Sequence, residues 1–350
     1  MTIRAPFPWA GGKSRVAHLV WDAFGDVAGY VEPFAGSLAV LLGRPTEPGV
    51  ETVNDADAYL ANFWRALQAD PDEVARWADW PVSEADLHAR HRWLVGRAEF
   101  RERMLTDPDH YDARVAGWWA WGLCSWIGSG WCATGGGRSR QIPHLSGAGQ
   151  GVHRGGQSAA SPSREPRDGD PPLHRKLPAI GDLGRGVHRV GSSRNWHPTA
   201  GADESGGGGV LADFRALQAR LRRVRVCCGD WTRVLGDSVT WRHGVTGVFL
   251  DPPYDDCAWS YATGDASVNT AVRQWAIEHG EHPMLKIALC GYEGQHDMPA
   301  PWQCVPWKAR GGYGSQRRDG TNENAARERI WFSPGCASAR RQAELFGTGA

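Results

Sequence analysis

The chain's 350 residues can hold a sizeable core and one or two domains. Its 39 basic and 39 acidic side chains cancel, so no global field advertises a nucleic-acid or membrane surface. No apolar run approaches the roughly 20 residues of a membrane span, and the eight cysteines form no C-x-x-C pair and no zinc-finger spacing, which argues against a structural metal and, with no signal peptide, for a reducing cytosol.

The spacing of apolar residues predicts a helix from Ser14 to Phe24, with Val16, Leu19, Val20 and Phe24 on one side. Tyr30-Val31 ends a strand that runs into Glu32-Pro33-Phe34-Ala35-Gly36-Ser37, followed by an apolar helix from Leu38 to Leu42. Val50 to Val53 is a second strand, ending at Asn54-Asp55, and Ala58 to Leu67 is helical. Asp70 to Trp131 is largely helical and rich in Trp and Arg. Cys132 to Gly209 has little periodicity and much Gly, Ser and Pro, and reads as irregular. Within it, from Cys132 to Ala202, ten basic residues face four acidic ones. Beyond it come a helix from Leu211 to Arg223 and a strand from Val224 to Cys228 that enters Gly229-Asp230-Trp231. Val245 to Leu250, Leu285 to Leu289 and Glu328 to Phe332 are the remaining strands. The α/β elements are thus split by a stretch the size of a domain.

That stretch contains a repeat. Pro143, Gly149, Gly151 and Val152-His153-Arg154 recur 35 residues later as Pro178, Gly184, Gly186 and Val187-His188-Arg189. Two copies are too few for a solenoid. They read as a pair of Gly-rich turns, each presenting a His and an Arg to DNA, or as a duplicated linker. The basic loop from Lys308 through Arg310 to Arg317 and Arg318 is a second candidate for phosphate contact, with counterion release as the driving force.

Asp251-Pro252-Pro253-Tyr254 follows the apolar run Val248-Phe249-Leu250, so a carboxylate, two prolines and an aromatic ring stand where open α/β sheets bind ligands. This set suits methylation of an exocyclic nucleobase amine, whose lone pair is delocalised into the ring. A carboxylate and a fixed backbone carbonyl can accept its two hydrogens and localise that pair. Proline stiffens the backbone that presents the carbonyl, and the tyrosine can stack on a base taken out of its duplex. A plain strand-to-turn boundary is the competing reading. Three more places converge. Trp9-Ala10-Gly11-Gly12-Lys13 is no P-loop, because Phe7 stands where that motif needs glycine; it reads as an amide-rich loop with one cation, suited to a small carboxylate. Small residues between Glu32 and Ser37 let a ligand approach the backbone. Asp55, 19 residues after Gly36, stands where doubly wound folds bind a ribose diol, though a helix cap is the commoner role.

In this order, Pro8 to Lys13, Glu32 to Ser37, Asp55, Cys228-Gly229-Asp230-Trp231 and Asp251 to Tyr254 resemble the Dam-like, α-group DNA N6-adenine methyltransferases. The Trp-rich stretches at Trp118 to Trp121 and Trp126 to Trp131 resemble phage-associated members. The resemblance covers roughly residues 4–68 and 210–333. It implies an α/β, Rossmann-like S-adenosylmethionine domain (1–68 and 210–335), a largely helical and irregular target-recognition insert (69–209) and a tail (336–350). It further implies that Lys13 and the loop of Trp9, Ala10 and Gly12 hold the methionine carboxylate. Glu32, Pro33, Phe34, Ala35, Gly36 and Ser37 line the methionine pocket, and Asp55 binds the ribose. Asp230, with Trp231 beside it, accepts from the cofactor's adenine amine. Asp251 and the Pro252 carbonyl take the target amine, and Tyr254 stacks on the flipped adenine. Double-stranded DNA is the implied partner, in the cytoplasm of a bacterial or phage-infected cell, with a monomer expected; a cognate restriction endonuclease is not inferable. The family usually has glycine where Leu38 stands, and its usual recognition domain does not match the insert. N4-cytosine methylation and a non-catalytic DNA-binding protein on the same fold remain the alternatives.

Overall fold

The computed structural model describes residues 3–9, 11–126, 131–132, 209–254, 266–307 and 327–337. Among them, β1 (Gly29–Glu32), β2 (Val50–Asp55), β3 (Arg225–Cys228), β4 (Thr246–Leu250), β5 (Leu285–Tyr292), β6 (Gln303–Pro306) and β7 (Glu328–Phe332) form one sheet of order β3-β2-β1-β4-β5-β7-β6. From β3 to β5 every neighbouring pair is parallel, and β7 runs antiparallel to both β5 and β6. β1 and β4 are buried along their whole lengths, as apolar strands in a parallel sheet covered on both faces must be. The strand order reverses between β1 and β4. The carboxyl ends of β1, β2, β3 and β4 therefore open on one crevice, the usual ligand position in such sheets.

The helices are α1 (Ala17–Phe24), α2 (Ala39–Leu42), α3 (Ala58–Ala69), α4 (Pro71–Ala78), α5 (Glu84–Val95), α6 (Ala98–Thr106), α7 (Ala113–Ser125), α8 (Val210–Leu221) and α9 (Ala266–His279). Local chemistry starts several of them. The side chains of Asp57, Asp70, Ser83 and Asp112 each accept from a first-turn amide, and Pro71 occupies the first turn of α4. α7 packs on α3 and α4, and so does α8. Phe7, Phe63, Trp64 and Trp119 form one buried aromatic knot, with Phe7 5.2 Å from both Phe63 and Trp119. The helices from residue 69 onward thus share their core with the helices that cover the sheet.

Several boundaries differ from expectation. α1 begins at Ala17, not Ser14, because Val16 and Ala17 N–H close a turn on the Lys13 carbonyl. α2 begins after Leu38, which sits at φ 55° in the left-handed region where glycine would be unstrained. β5 continues three residues past Leu289, to Tyr292, which brings Cys290 and Tyr292 to the crevice. α9 and the edge strand β6 add to the expected elements. β6 is short and half exposed and ends in Pro306, a residue tolerated at a sheet edge because it cannot donate to a ladder. No described helix is long and apolar enough to cross a membrane. The Pro-Gly-His-Arg repeat with His153, Arg154, His188 and Arg189 lies outside the described residues, as do Ala10 and the basic loop with Lys308, Arg310, Arg317 and Arg318.

Candidate active site at the carboxyl edge of the sheet

Asp251 leaves β4 at the crevice and meets a lysine from the other end of the chain. Lys13 Nζ lies 2.8 Å from Asp251 Oδ2 and donates to the Gly11 carbonyl at 2.9 Å. The lysine side chain is 4% exposed and that of Asp251 20%. Burial works against the ammonium, but the Asp251 carboxylate and the acidic groups behind it hold it well above the usual lysine range. The geometry therefore gives Lys13 a different partner from the ligand carboxylate expected of it. It is the counterion of Asp251.

Tyr254 completes the cluster. Its hydroxyl lies 3.1 Å from Asp251 Oδ1 and 3.0 Å from Glu328 Oε2 on β7. Its ring meets Tyr292 edge-on at 4.6 Å and carries Lys13 Nζ at 5.2 Å, while the Trp307 ring faces the same ammonium at 5.7 Å. Asn269 on α9 donates its amide to the Pro253 carbonyl, which pins a backbone that Pro252 and Pro253 already stiffen.

A second group of residues gathers at the ends of β1, β2 and β3. Asn54 Nδ2 reaches the Pro33 carbonyl at 3.1 Å and the Gly229 carbonyl at 3.0 Å, so one carboxamide ties together the loops after β1 and β3. Asp55 Oδ2 accepts from Gly36 N–H at 3.1 Å and Oδ1 from Asp57 N–H at 2.9 Å. Burial nevertheless pushes the Asp55 carboxyl up to about 7. Glu32 is buried and accepts from the Tyr30 hydroxyl at 2.9 Å; burial holds its carboxyl well above the ordinary glutamate range. Phe34 and Trp231 stack at 6.2 Å and 25°. Asp230 is exposed beside them, with Oδ1 accepting from Thr232 N–H at 2.9 Å.

Trp9 joins the two groups. Gly36 adopts φ 46°, and a Cβ there would stand 2.7 Å from Trp9 Nε1. A bare backbone is what lets the indole lie against the turn. Gly36→Ala is expected to push Trp9 off the turn, with about 1–2 kcal/mol of stability lost to the left-handed backbone, read from a denaturation curve.

The structure thus brings Trp9, Gly12, Lys13, Glu32 to Ser37, Asp55, Asp230, Trp231 and Asp251 to Tyr254 to one edge of the sheet. It adds Asn54, Asn269, Tyr292, Trp307 and Glu328, none of which stands in a motif.

A sheet of this order and mixed direction, flanked by helices and with its site at the switch point, is that of an α/β methyltransferase. The model of the D12 class N6 adenine-specific DNA methyltransferases matches residues 9–85, which include Trp9 to Lys13, Glu32 to Ser37 and Asp55. Over those residues the chain is similar to this family, and on that match it is an adenine-specific DNA methyltransferase. Methyltransferases of this family take the methyl group from S-adenosylmethionine. No curated protein matches the chain.

Proposed function

We propose that methyl transfer takes place at Asp251, on an adenine taken out of a DNA duplex and seated in the crevice between β1 and β4. The observation that carries this reading is the Lys13–Asp251 pair. A carboxylate paired with a buried ammonium at 2.8 Å can accept one hydrogen of the N6 amine while the Pro252 carbonyl accepts the other. Engaging both hydrogens returns the lone pair to nitrogen, and holding the amine in line supplies much of the remaining acceleration. Tyr254 is the ring for the base.

The residues fit the family's cofactor. Gly36 leaves a cradle that a Cβ would fill, and two carboxyls raised by burial, Glu32 and Asp55, face the same crevice. A ligand bearing an ammonium and a sulfonium relieves both. S-adenosylmethionine, when bound, supplies an electrophilic methyl group. Glu32 would take the methionine ammonium, while Trp9, Gly12, Pro33, Ala35, Gly36 and Ser37 enclose the methionine part. Asp55 would take the ribose hydroxyls, and Phe34, Trp231 and Asp230 the adenine. We assign target recognition to the inserted region, 69–209. The test is transfer of label from S-adenosylmethionine to duplex DNA followed by nucleoside analysis. N6-methyladenine is expected, and N4-methylcytosine alone would overturn the reading.

The Asp55 assignment has a pH signature. Hydroxyl groups donate to a carboxylate, so the ligand binds the ionised form, whereas the free site holds a proton below about 7. Cofactor affinity should therefore tighten as pH rises through about 7, with a proton released on binding below it. Asp55→Asn should bind more weakly and lose that dependence. Calorimetry in buffers of different ionisation enthalpy reads both, and a pH-independent wild type would move the ribose elsewhere.

A further inference from the structure

The helices α4, α5 and α7 pack together and gather Trp77, Trp80, Trp93, Trp118 and Trp121. Trp77 and Trp93 each meet the Trp118 ring edge-on, at 5.8 Å and 4.9 Å, and Trp121 Nε1 donates to the Trp80 carbonyl at 2.8 Å. Four arginines lie over these indoles. Two of them have carboxylates: Arg76 with Glu73 and Arg97 with Asp112, both at 3.3 Å. Arg90 and Arg114 have neither an ion pair nor a hydrogen bond among the described residues. The Arg114 guanidinium stands 4.1 Å from the centre of the Trp118 ring, 4.7 Å from Trp93 and 5.0 Å from Trp77. That of Arg90 stands 4.2 Å from Trp121, 5.0 Å from Trp118 and 5.4 Å from Trp80. Trp118 thus lies against both cations.

Ring contacts offset part of a cation's charge but leave its N–H donors without acceptors. Arg114 is exposed, so its fork is open to a ligand. Arg90 is 7% exposed, and its Nη1 and the Trp118 Nε1 are both buried with no acceptor among the described residues. Donors left unmet in this way are costly, and two of them beside an exposed guanidinium mark a place where an acceptor is missing. Burial lowers the Arg90 pKa; Asp86, one turn back on α5, opposes that from beyond ion-pair distance, and the Arg114 charge adds to it. The two cations therefore feel each other, and an anion relieves both. We propose that Arg114, reinforced by the charge of Arg90, binds a backbone phosphate of the DNA substrate, a role that rests on the inserted region being the part that takes DNA. A guanidinium fork matches two phosphate oxygens, and indoles that already hold it in place reduce the freedom lost on binding. Contacts of this kind set the register of a protein on its duplex and carry no sequence information. The tryptophans of the Trp118 to Trp121 stretch then serve as the mount for the cation.

The experiment uses the full chain with Arg114→Gln and Arg114→Lys, and measures binding to a substrate duplex and to a scrambled one across a salt series. Arg114→Gln should weaken both duplexes alike by about 10-fold, the low end for a hydrogen bond to a charged group. Its salt slope should shrink by about 1 unit, and cofactor affinity should stay as in wild type. Arg114→Lys keeps a cation over the indoles but loses the fork, so it should hold the thermal midpoint and the salt slope while giving up part of the affinity. Duplexes carrying a single neutral methylphosphonate should reveal one position that weakens the wild type and leaves Arg114→Gln unaffected. Unchanged duplex binding in Arg114→Gln would overturn the proposal and leave the pair to an acidic protein partner. It would also be overturned by a loss confined to the substrate duplex, which means base reading, or by a loss in Arg114→Lys that tracks a lowered midpoint. Stabilisation by inorganic phosphate with no change on either duplex would mean a free-anion site and would overturn it too. A wild type that binds neither duplex, or puts no methyl on DNA, would instead remove the reading beneath it.

Discussion

Asp251→Ala is expected to lower single-turnover methyl transfer by on the order of 10²- to 10³-fold or more, the scale for losing one preorganised hydrogen-bonding group at a reacting centre. Two effects combine in that variant, and they separate by substitution. The first is the lost acceptor for the target amine. The second is structural: Lys13, 4% exposed, keeps its charge because Asp251 stands at 2.8 Å, and alanine leaves that ammonium buried without its partner. Breaking a buried pair typically costs about 3–5 kcal/mol, and the partial exposure of Asp251 puts this one toward the lower end. Asp251→Asn isolates the chemistry. Its carbonyl oxygen can still accept from Lys13, so stability should stay close to wild type, but it offers the target amine a neutral, weaker acceptor. Transfer should fall nearly as far as in alanine, with cofactor affinity retained because the Glu32 and Asp55 group is untouched. Single-turnover kinetics with calorimetry and a denaturation curve on both variants test this. A near-normal rate in Asp251→Asn would remove Asp251 from the chemistry.

What the sequence discloses here follows the range of the interactions. Asp251 to Tyr254, Glu32 to Ser37 and Asp55 are legible because each combines local signals: an apolar strand, then residues that only a turn or a ligand loop would favour. Leu38 is the instructive departure, since the left-handed backbone that glycine usually supplies is present at φ 55° with a leucine that is fully buried. The residues that hold the site in shape are not legible. Lys13 reads as a free cation at a helix start until the fold carries it to Asp251. Asn54, Asn269 and Glu328 are single polar residues whose partners lie far along the chain, and no spacing rule marks them. The helices from 71 to 125 read as helices from their pattern, but their partners α3 and α8 are set by packing, which period alone does not encode. β6 escapes for the opposite reason: four half-exposed residues at a sheet edge carry too little pattern.

The largest stability effect away from the site is expected at Glu51, which joins elements far apart in the chain. Glu51 on β2 is 2% exposed and accepts from two arginines, Arg44 at 3.3 Å and Arg220 at 2.7 Å. Arg220 stands on α8, 169 residues beyond Glu51, and also reaches the Leu41 carbonyl at 2.9 Å, while Arg44 reaches the Val27 carbonyl. This one carboxylate therefore fastens β2 to α8 across a long separation in the chain. Glu51→Ala would leave two guanidinium groups at a buried position with only neutral partners, the Val27 and Leu41 carbonyls and the Thr46 hydroxyl, and should destabilise the fold by about 3–5 kcal/mol. Glu51→Gln should cost less, since its carbonyl keeps one acceptor. Replacing Arg44, Glu51 and Arg220 together with apolar residues of similar volume should recover much of the loss, because desolvation of the three charges offsets most of their attraction. Denaturant midpoints on the three variants measure this. Glu51 pairs with Tyr30 near the start of β1, whereas Asp55 closes the other end of β2, about 13 Å away at the usual rise per residue. The alanine variant should therefore, while folded, bind cofactor as the wild type does. A stability change below about 1 kcal/mol would mean that the two arginines find equivalent partners without it, and that β2 and α8 are held together by the aromatic core of α3, α7 and α8 alone.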